Sequence, residues 1–575
     1  MEQLYLGKRL PNMTAYRPEI SGTQGAVSSN CSYVTRAGLE ILKKGGNAID
    51  AAVAASLTLG VVDPYNSGIG GGCFVVYYSA KERDYFALDA RGKAPARAWP
   101  EMFLGEDGQP NAGYTENSGR PVATPAMYRA YEQMLKNHGT MTLAQVSEPA
   151  IRLARNGFRA GFVYARATET GYASYACEHY PGFKELYTDN GRARKIGDLV
   201  KNPDLADTME QVAENGADWF YNGPIAGEFA AAAQKFGGVI EASDVRNTTA
   251  VYRKPVHGTY RGYEIISMPP PSSGGIHLIQ MLNVLENFDL ASMGQSSAEA
   301  THIIAETMKM MFADRSVAVG DPDCMTIQTE KLASKEYARE LAGRIKTDCA
   351  QEYAPTEGIE ATANAGCTTN FTVQDRFGNA VAMTQTIRNW FGCGIPVVGR
   401  GFLLNNNMAD FSAKCGCLTS QGLSYGSANA AAANKTPLSS MCPVILARDG
   451  VPFVTLGSAG GPRIISSNLQ VMVNIMEHGM MMELAVRSPH ICCLTKKQGI
   501  EMEYAYSPDT IRLLEQKGHS VRLVPQHGVV KGFTNGIMKL DGRFYPAGTW
   551  RTNGSGGVLT DSGVVCIDGE LFLGE

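Results

Sequence analysis

The chain has 575 residues, of which 44% are hydrophobic, only 19% are charged and 63 are glycine. At roughly 100–200 residues per domain, this length fits two to four domains or one large layered unit with a sizeable core. The 56 acidic residues nearly balance the 52 basic ones, for a formal charge of −4, which excludes a nucleic-acid-coating protein; low charge with abundant glycine excludes a disordered or coiled one and leaves a soluble globular protein, an enzyme.

The N-terminal stretch MEQLYLGKRLPNMTAYRPEI lacks the apolar region and cleavage site of a secretory signal, and no run of 18 apolar residues suggests a membrane span. The 13 cysteines include no CxxC pair. They read as free thiols of a reducing compartment, and the expected location is cytoplasmic. Asn47 is a plausible N-cap with Asp50 at the third helical position, opening an alanine-rich helix to about Val61. The glycines of GIGGG (68–72) precede an alternating strand, Cys73 to Tyr78. A dinucleotide fingerprint has the opposite order, so a tight turn with close backbone approach is expected.

Residues 120–345 read as mainly helical, with amphipathic stretches at 142–156 and 276–288. The MPPPSSGG segment (268–275) reads as a rigid loop capping the second of these, rather than as a proline-rich ligand. A polar, acidic, aperiodic stretch at 347–366 is the best linker. Strands follow: 368–375 and 379–387 alternate around a turn at Gly378 and Asn379. Further short strands are expected at 401–404, 443–447 and 453–457, then a helix at 463–477 with Pro462 at its first turn. Strands mixed with long helices predict an α+β fold of sheets covered by helices.

HExxH, GxxxxGK[ST], GxSxG and EF-hand motifs are absent, and no histidine lies between His302 and His478. A nucleophile in the hairpin region would need a base other than histidine. A threonine at the first position of a chain supplies one itself, because its α-amine takes the hydroxyl proton. Such a residue arises internally when its hydroxyl attacks the preceding carbonyl and the resulting ester hydrolyses. GCTTNFTVQD (366–375) puts Thr368 at a strand start directly after the linker. Ordinary β-propensity fits the same Thr-Thr pair. LGSAGGPRII (456–465) places Gly460 and Gly461 between a strand and a helix, where backbone N–H groups meet a developing oxyanion or simply form a turn. LNNNMADF (404–411) and PLSSMCP (437–443) add polar groups in apolar settings.

Taken together, these blocks resemble the gamma-glutamyltranspeptidase family of N-terminal nucleophile hydrolases. The resemblance runs colinearly from about residue 25 to about residue 530, through GGNAIDAAVAASLTLGVVDPYNSGIGGG (45–72), YRGYEIISMPPPSSGGIHLIQMLNVLENFD (260–289), FADRSVAVGDPD (312–323), TTNFTVQDRFGNAVAMTQT (368–386), GFLLNNNMADFSAK (401–414), NKTPLSSMCP (434–443) and GSAGGPRII (457–465). It implies a four-layer αββα sandwich made from a proenzyme that is cut before Thr368. The halves would be a large subunit, 1–367, including the linker through 367, and a small subunit, 368–575, held together as a heterodimer. By motif match Thr368 is the nucleophile, Thr386 activates it, and Gly460 and Gly461 form the oxyanion hole. Arg91 grips the substrate α-carboxylate, Asp410 receives the α-ammonium, and Ser439 and Ser440 contact the carboxylate end. No metal or organic cofactor is implied. The implied partners are a small gamma-glutamyl substrate such as glutathione and an amino-acid or peptide acceptor.

Three positions depart from the family pattern: Asn370 stands for His, Asn407 for Gln or Glu, and Arg388 for Asn. Continuing the alternation of Thr384 and Thr386, Arg388 is expected on the same face, adding a cation near Arg91 and favouring a donor with an extra carboxylate or no ammonium. The alternatives are therefore an acylase for a poly-gamma-glutamate or glutaryl-type amide, and an unprocessed, catalytically silent relative that acts in binding.

Overall fold

The computed structural model describes residues 19–356, 367–414, 429–525 and 532–572. Two antiparallel sheets form its centre. The nine-stranded sheet runs, edge to edge, through Glu570–Phe572, Val565–Ile567, Ser555–Leu559, Gly25–Ser29, Cys367–Asp375, Ala380–Arg388, Gly72–Ser79, Asp84–Ala90 and Val251–Arg253. The six-stranded sheet runs through Arg543–Ala547, Phe533–Leu540, Val451–Ala459, Val444–Arg448, Tyr263–Ser267 and Val256–Tyr260. Helices Ser32–Lys43, Ala48–Val62, Met127–His138 and Leu143–Asn156 cover the outer face of the first sheet in one large apolar cluster. Helices Gly274–Leu285, Ala298–Ala318, Lys335–Gly343 and Arg463–Met476 cover the second. The inner faces meet through residues such as Phe74, Val76, Ile266 and Ile445. This is the αββα sandwich.

The predicted cap at Asn47 is present. Its side chain accepts from the N–H groups of Ile49 and Asp50, and the Asp50 carboxylate accepts from the N–H of Asn47. The helix that follows is buried along its whole length, as expected for small side chains packed on several neighbours. The hairpin 367–375/380–388 forms with Gly378 at φ +94° in its turn. In the GIGGG run, Gly71 lies directly against the carbonyl of Thr386, leaving no room for a side chain.

Three stretches differ from the reading above. Residues 251–267 are three short strands rather than helix, because β-branched and aromatic residues alternate there and Arg261 and Gly262, at φ +49° and +85°, turn the chain. The 276–288 stretch contributes a helix, Gly274–Leu285, that is buried on all sides, not on one face, because sheet and helices enclose it. The first part of the linker is docked. The Ala350 N–H donates to the Lys517 carbonyl at 2.7 Å and the Thr356 N–H to Asp314 at 3.0 Å. Residues 357–366 of that linker lie outside the described residues. Among the described residues no helix is long and apolar enough to cross a membrane, and ten of the described cysteines are free thiols.

Candidate active site

Thr368 is the second residue of strand 367–375, only 4% exposed. Its neighbours pair as Thr369↔Gln385 and Cys367↔Arg388, so Thr386 and Ile387 together stand opposite Thr368 in a β-bulge. Pleating sends alternate side chains to opposite faces. Phe371 and Val373 join the helix-side core, whereas Gln374 reaches Thr455 of the other sheet at 3.1 Å. Thr368 and Asn370 belong to the Gln374 series and face the gap between the sheets.

Asn370 has a specific role in that gap. The Asn535 side-chain amide donates to both the carbonyl and the side chain of Asn370, at 3.0 and 2.9 Å, and to Asn30 at 2.7 Å. Asn30 in turn donates to the Thr369 hydroxyl at 2.6 Å. Gly457 is the point of closest approach from the facing sheet, where a Cβ would run into the Asn370 amide. Directly after that strand, which ends at Ala459, the turn at Gly460 and Gly461 has φ values of +124° and +63°. The Gly460 carbonyl accepts from the Arg463 N–H at 3.3 Å. The trans peptide then directs the Gly461 N–H away from the helix it introduces.

Arg91, Arg388, Asn407 and Asp410 converge in a second cluster, each at most 3% exposed. One Arg91 nitrogen bonds Asp410 Oδ2, and another reaches Asn407 Oδ1 at 3.4 Å. Arg388 Nε donates to Asp410 Oδ1 at 2.7 Å. The bulge breaks the alternation expected to carry Arg388 onto the Thr384/Thr386 face. Arg388 has φ +79°, and its N–H donates to the Thr386 hydroxyl at 2.7 Å, linking this cluster to the strand pair that carries Thr368. A single carboxylate thus faces two guanidinium groups. Two donors in the cluster, Arg91 Nε and Asn407 Nδ2, have no hydrogen-bond partner. Burial lowers the Arg91 pKa from its ordinary value, with Asp410 opposing.

Ser439 and Ser440 sit against the Ser272–Ser273 turn. The Ser273 hydroxyl donates to the Ser439 carbonyl, and buried Arg315 donates to the Ser440 hydroxyl, both at 2.8 Å. The carbonyl of Lys435, in the same segment, accepts from Ala94 three residues after Arg91, which brings the serine pair toward the arginine cluster. Arg315 was not singled out from the sequence, although it lies in FADRSVAVGDPD. Neither were Asn30 and Asn535, and nothing local marks them. His302, Glu306 and His519 also converge within 4.8 Å. Their polar atoms are engaged with one another and with Lys309, Lys346 and Gln351.

The family profile described as Gamma-glutamyltranspeptidase matches residues 34–558. The glutathione hydrolase proenzyme of Escherichia coli K12 is 40% identical over 531 residues, covering 92% of this chain and 90% of that protein. The acylase ACY 1 proenzyme of Pseudomonas sp. SE83 is 33% identical over 554 residues, covering 95% and 96%. Among solved structures, cephalosporin acylase from Bacillus halodurans superposes with a TM-score of 0.83 at 26% identity, covering 96% of this chain and 98% of that one. Gamma-glutamyltranspeptidase from Helicobacter pylori superposes with a TM-score of 0.56 at 37% identity over 60% of this chain and 98% of that one.

Proposed function

The chain belongs to the gamma-glutamyltranspeptidase family, and on that premise we propose that it is an autoprocessing threonine enzyme that cleaves gamma-glutamyl amides such as glutathione. The observation that carries this reading is Thr368 at a strand start opposite the Thr386 bulge. In the first step the Thr368 hydroxyl attacks the carbonyl of Cys367. The peptide C–N bond breaks, and water hydrolyses the ester to leave a free α-amine on Thr368. That amine, whose ordinary pKa is about 7.7–8.0, takes the hydroxyl proton when a donor amide is attacked. The N–H groups of Gly460 and Gly461 hold the oxyanion, the amine leaves with a proton, and water or an amino acid resolves the acyl ester. Arg91, Ser439 and Ser440 hold the far end of the donor. Fragments 1–367 and 368–575 remain together, and the free thiols support a reducing, cytoplasmic setting.

The bracketing of Asp410 by Arg91 and Arg388 favours a second reading within the same chemistry. A carboxylate committed to two guanidiniums has little charge left for a substrate ammonium, and the unpartnered donors beside it suit a carboxylate. A glutaryl-type or other dicarboxylic monoamide is then a good donor as well. Wild-type protein should run as two bands matching 1–367 and 368–575, and Thr368→Ala as one. Mass spectrometry should find the acyl adduct on the peptide beginning with Thr368. A single-band wild type that still turns over substrate would overturn the mechanism.

A further inference from the structure

His302, Glu306 and His519 converge on the helix side of the six-stranded sheet, and all three are buried. His302 and Glu306 stand one above the other on one face of helix Ala298–Ala318. His519 comes from the other side of the proposed cut, just after helix Pro508–Gln516. His302 Nδ1 lies 2.8 Å from His519 Nε2, and Glu306 Oε1 lies 4.0 Å from the first atom and 3.7 Å from the second. The point equidistant from the corners of a triangle with these sides is about 2.1 Å from each, within the range of about 2.0–2.2 Å at which zinc binds nitrogen and oxygen.

The surroundings present these atoms as ligands. The Lys346 carbonyl can only accept, so His302 Nε2, 2.8 Å from it, carries the proton and Nδ1 offers a lone pair. A backbone carbonyl on the far ring nitrogen is the usual support of a metal-bound histidine. The Gln351 N–H donates to both Glu306 oxygens, at 3.4 and 3.3 Å, and orients the carboxylate. His519 Nε2 donates to His302 Nδ1 in this structure; an ion at the shared point takes the place of that proton, which moves to His519 Nδ1. Lys309 Nζ also bonds Glu306 Oε1, at 2.7 Å, and Lys496 and Lys517 face His519. This positive field beside a single carboxylate disfavours calcium and magnesium, which require several oxygens. Two imidazoles suit a borderline ion that bonds nitrogen strongly.

We propose that His302, Glu306 and His519 form a binding site for a divalent transition-metal ion of the zinc type, with water in the fourth tetrahedral position. The site stands without the acyl-transfer reading; only its bridging role draws on the proposed cut. Once residues 1–367 and 368–575 are separate chains, two ligands belong to one and the third to the other. The ion then fastens the seam where the Ala350 N–H already meets the Lys517 carbonyl.

The test titrates cobalt(II) chloride into chelator-treated full-length protein. One equivalent should develop the visible absorption of a four-coordinate cobalt ion, and one equivalent of zinc should erase it. His519→Ala should weaken cobalt binding by at least about a hundredfold, since even the outer partners of metal ligands are worth about 10–100-fold. Lys309→Met removes the competing ammonium and should tighten binding at least tenfold, a gain that misfolding cannot produce. No saturable absorption, the strong near-ultraviolet bands of cobalt–thiolate bonds, or wild-type affinity in either variant overturns the site. In cut protein, zinc should raise the urea midpoint at which the two fragments separate, and in His519→Ala it should not; an equal effect in both overturns the bridging role. Uncut, inactive protein that binds cobalt in this way removes the acyl-transfer reading and keeps the site, whereas cut, active protein without the absorption removes the site and keeps that reading.

Discussion

Arg388 Nε and Asp410 Oδ1 lie 2.7 Å apart, with both side chains almost inaccessible to solvent. Because Arg91 bonds the other oxygen of the same carboxylate, Arg388→Asn should release part of the Asp410 charge toward an incoming ammonium. The ratio of kcat/KM for gamma-glutamyl over glutaryl donors should then rise about tenfold, which corresponds to about 1.4 kcal/mol. Competition between the two donors, read by product mass, measures it directly; an unmoved ratio would show that Arg388 does not select the donor.

Asp50 ties the start of helix Ala48–Val62 to the loop that follows helix Met127–His138. Its buried carboxylate accepts from the N–H groups of Asn47, Thr140 and Met141 and from the Thr140 hydroxyl. Asp50→Ala strands these donors and should destabilise the protein by about 3–5 kcal/mol. The urea unfolding midpoint should drop clearly below that of the wild type, and a shift within error would show that water replaces the carboxylate.

Gly457→Ala tests how closely the sheets approach near Thr368. The added methyl group must displace the Asn370 amide, which Asn535 holds. A cost of about 1–3 kcal/mol is expected, together with slower self-cleavage. A time course of fragment appearance on a gel reads the second effect.

Two buried histidines predict an acid-side loss of stability. Burial lowers His277 to about 3 and His490 well below its ordinary value, with Arg315 and Arg551 respectively adding to the effect. Both are neutral when folded, while the unfolded chain binds protons below pH about 6.5. Stability is therefore full above that pH and declines as pH falls from 6.5 toward 3, by about 1.4 kcal/mol per pH unit for each histidine. Melting temperatures at pH 7.5 and 5.0 should differ markedly, and His490→Gln should shrink the difference.

The elements built from local signals were legible in the sequence. The Asn47–Asp50 cap, the hairpin before and after Gly378, and the glycine turn before the 463–476 helix each depend on a few neighbouring residues. What escaped depends on pairing between distant segments. The bulge at Thr386 and Ile387 has no signature of its own, and it decides where the Arg388 side chain goes. Asn30 reaches Thr369 across 339 positions, because strand 25–29 lies beside strand 367–375.

The strand order of the larger sheet carries a consequence for the molecule's history. Strand 25–29 is inserted between 555–559 and 367–375, while 380–388 adjoins 72–79. The cut proposed before Thr368 would therefore leave two polypeptides whose strands are interleaved like shuffled cards. Neither piece has a complete sheet to fold into by itself, and parting them would mean tearing hydrogen-bonded ladders along several seams at once. Folding must come first and scission second. Once nicked and fully denatured, the pair would have to find this arrangement as two separate molecules, so the intact precursor is the form able to assemble the sheet efficiently, and each molecule has one opportunity to do so.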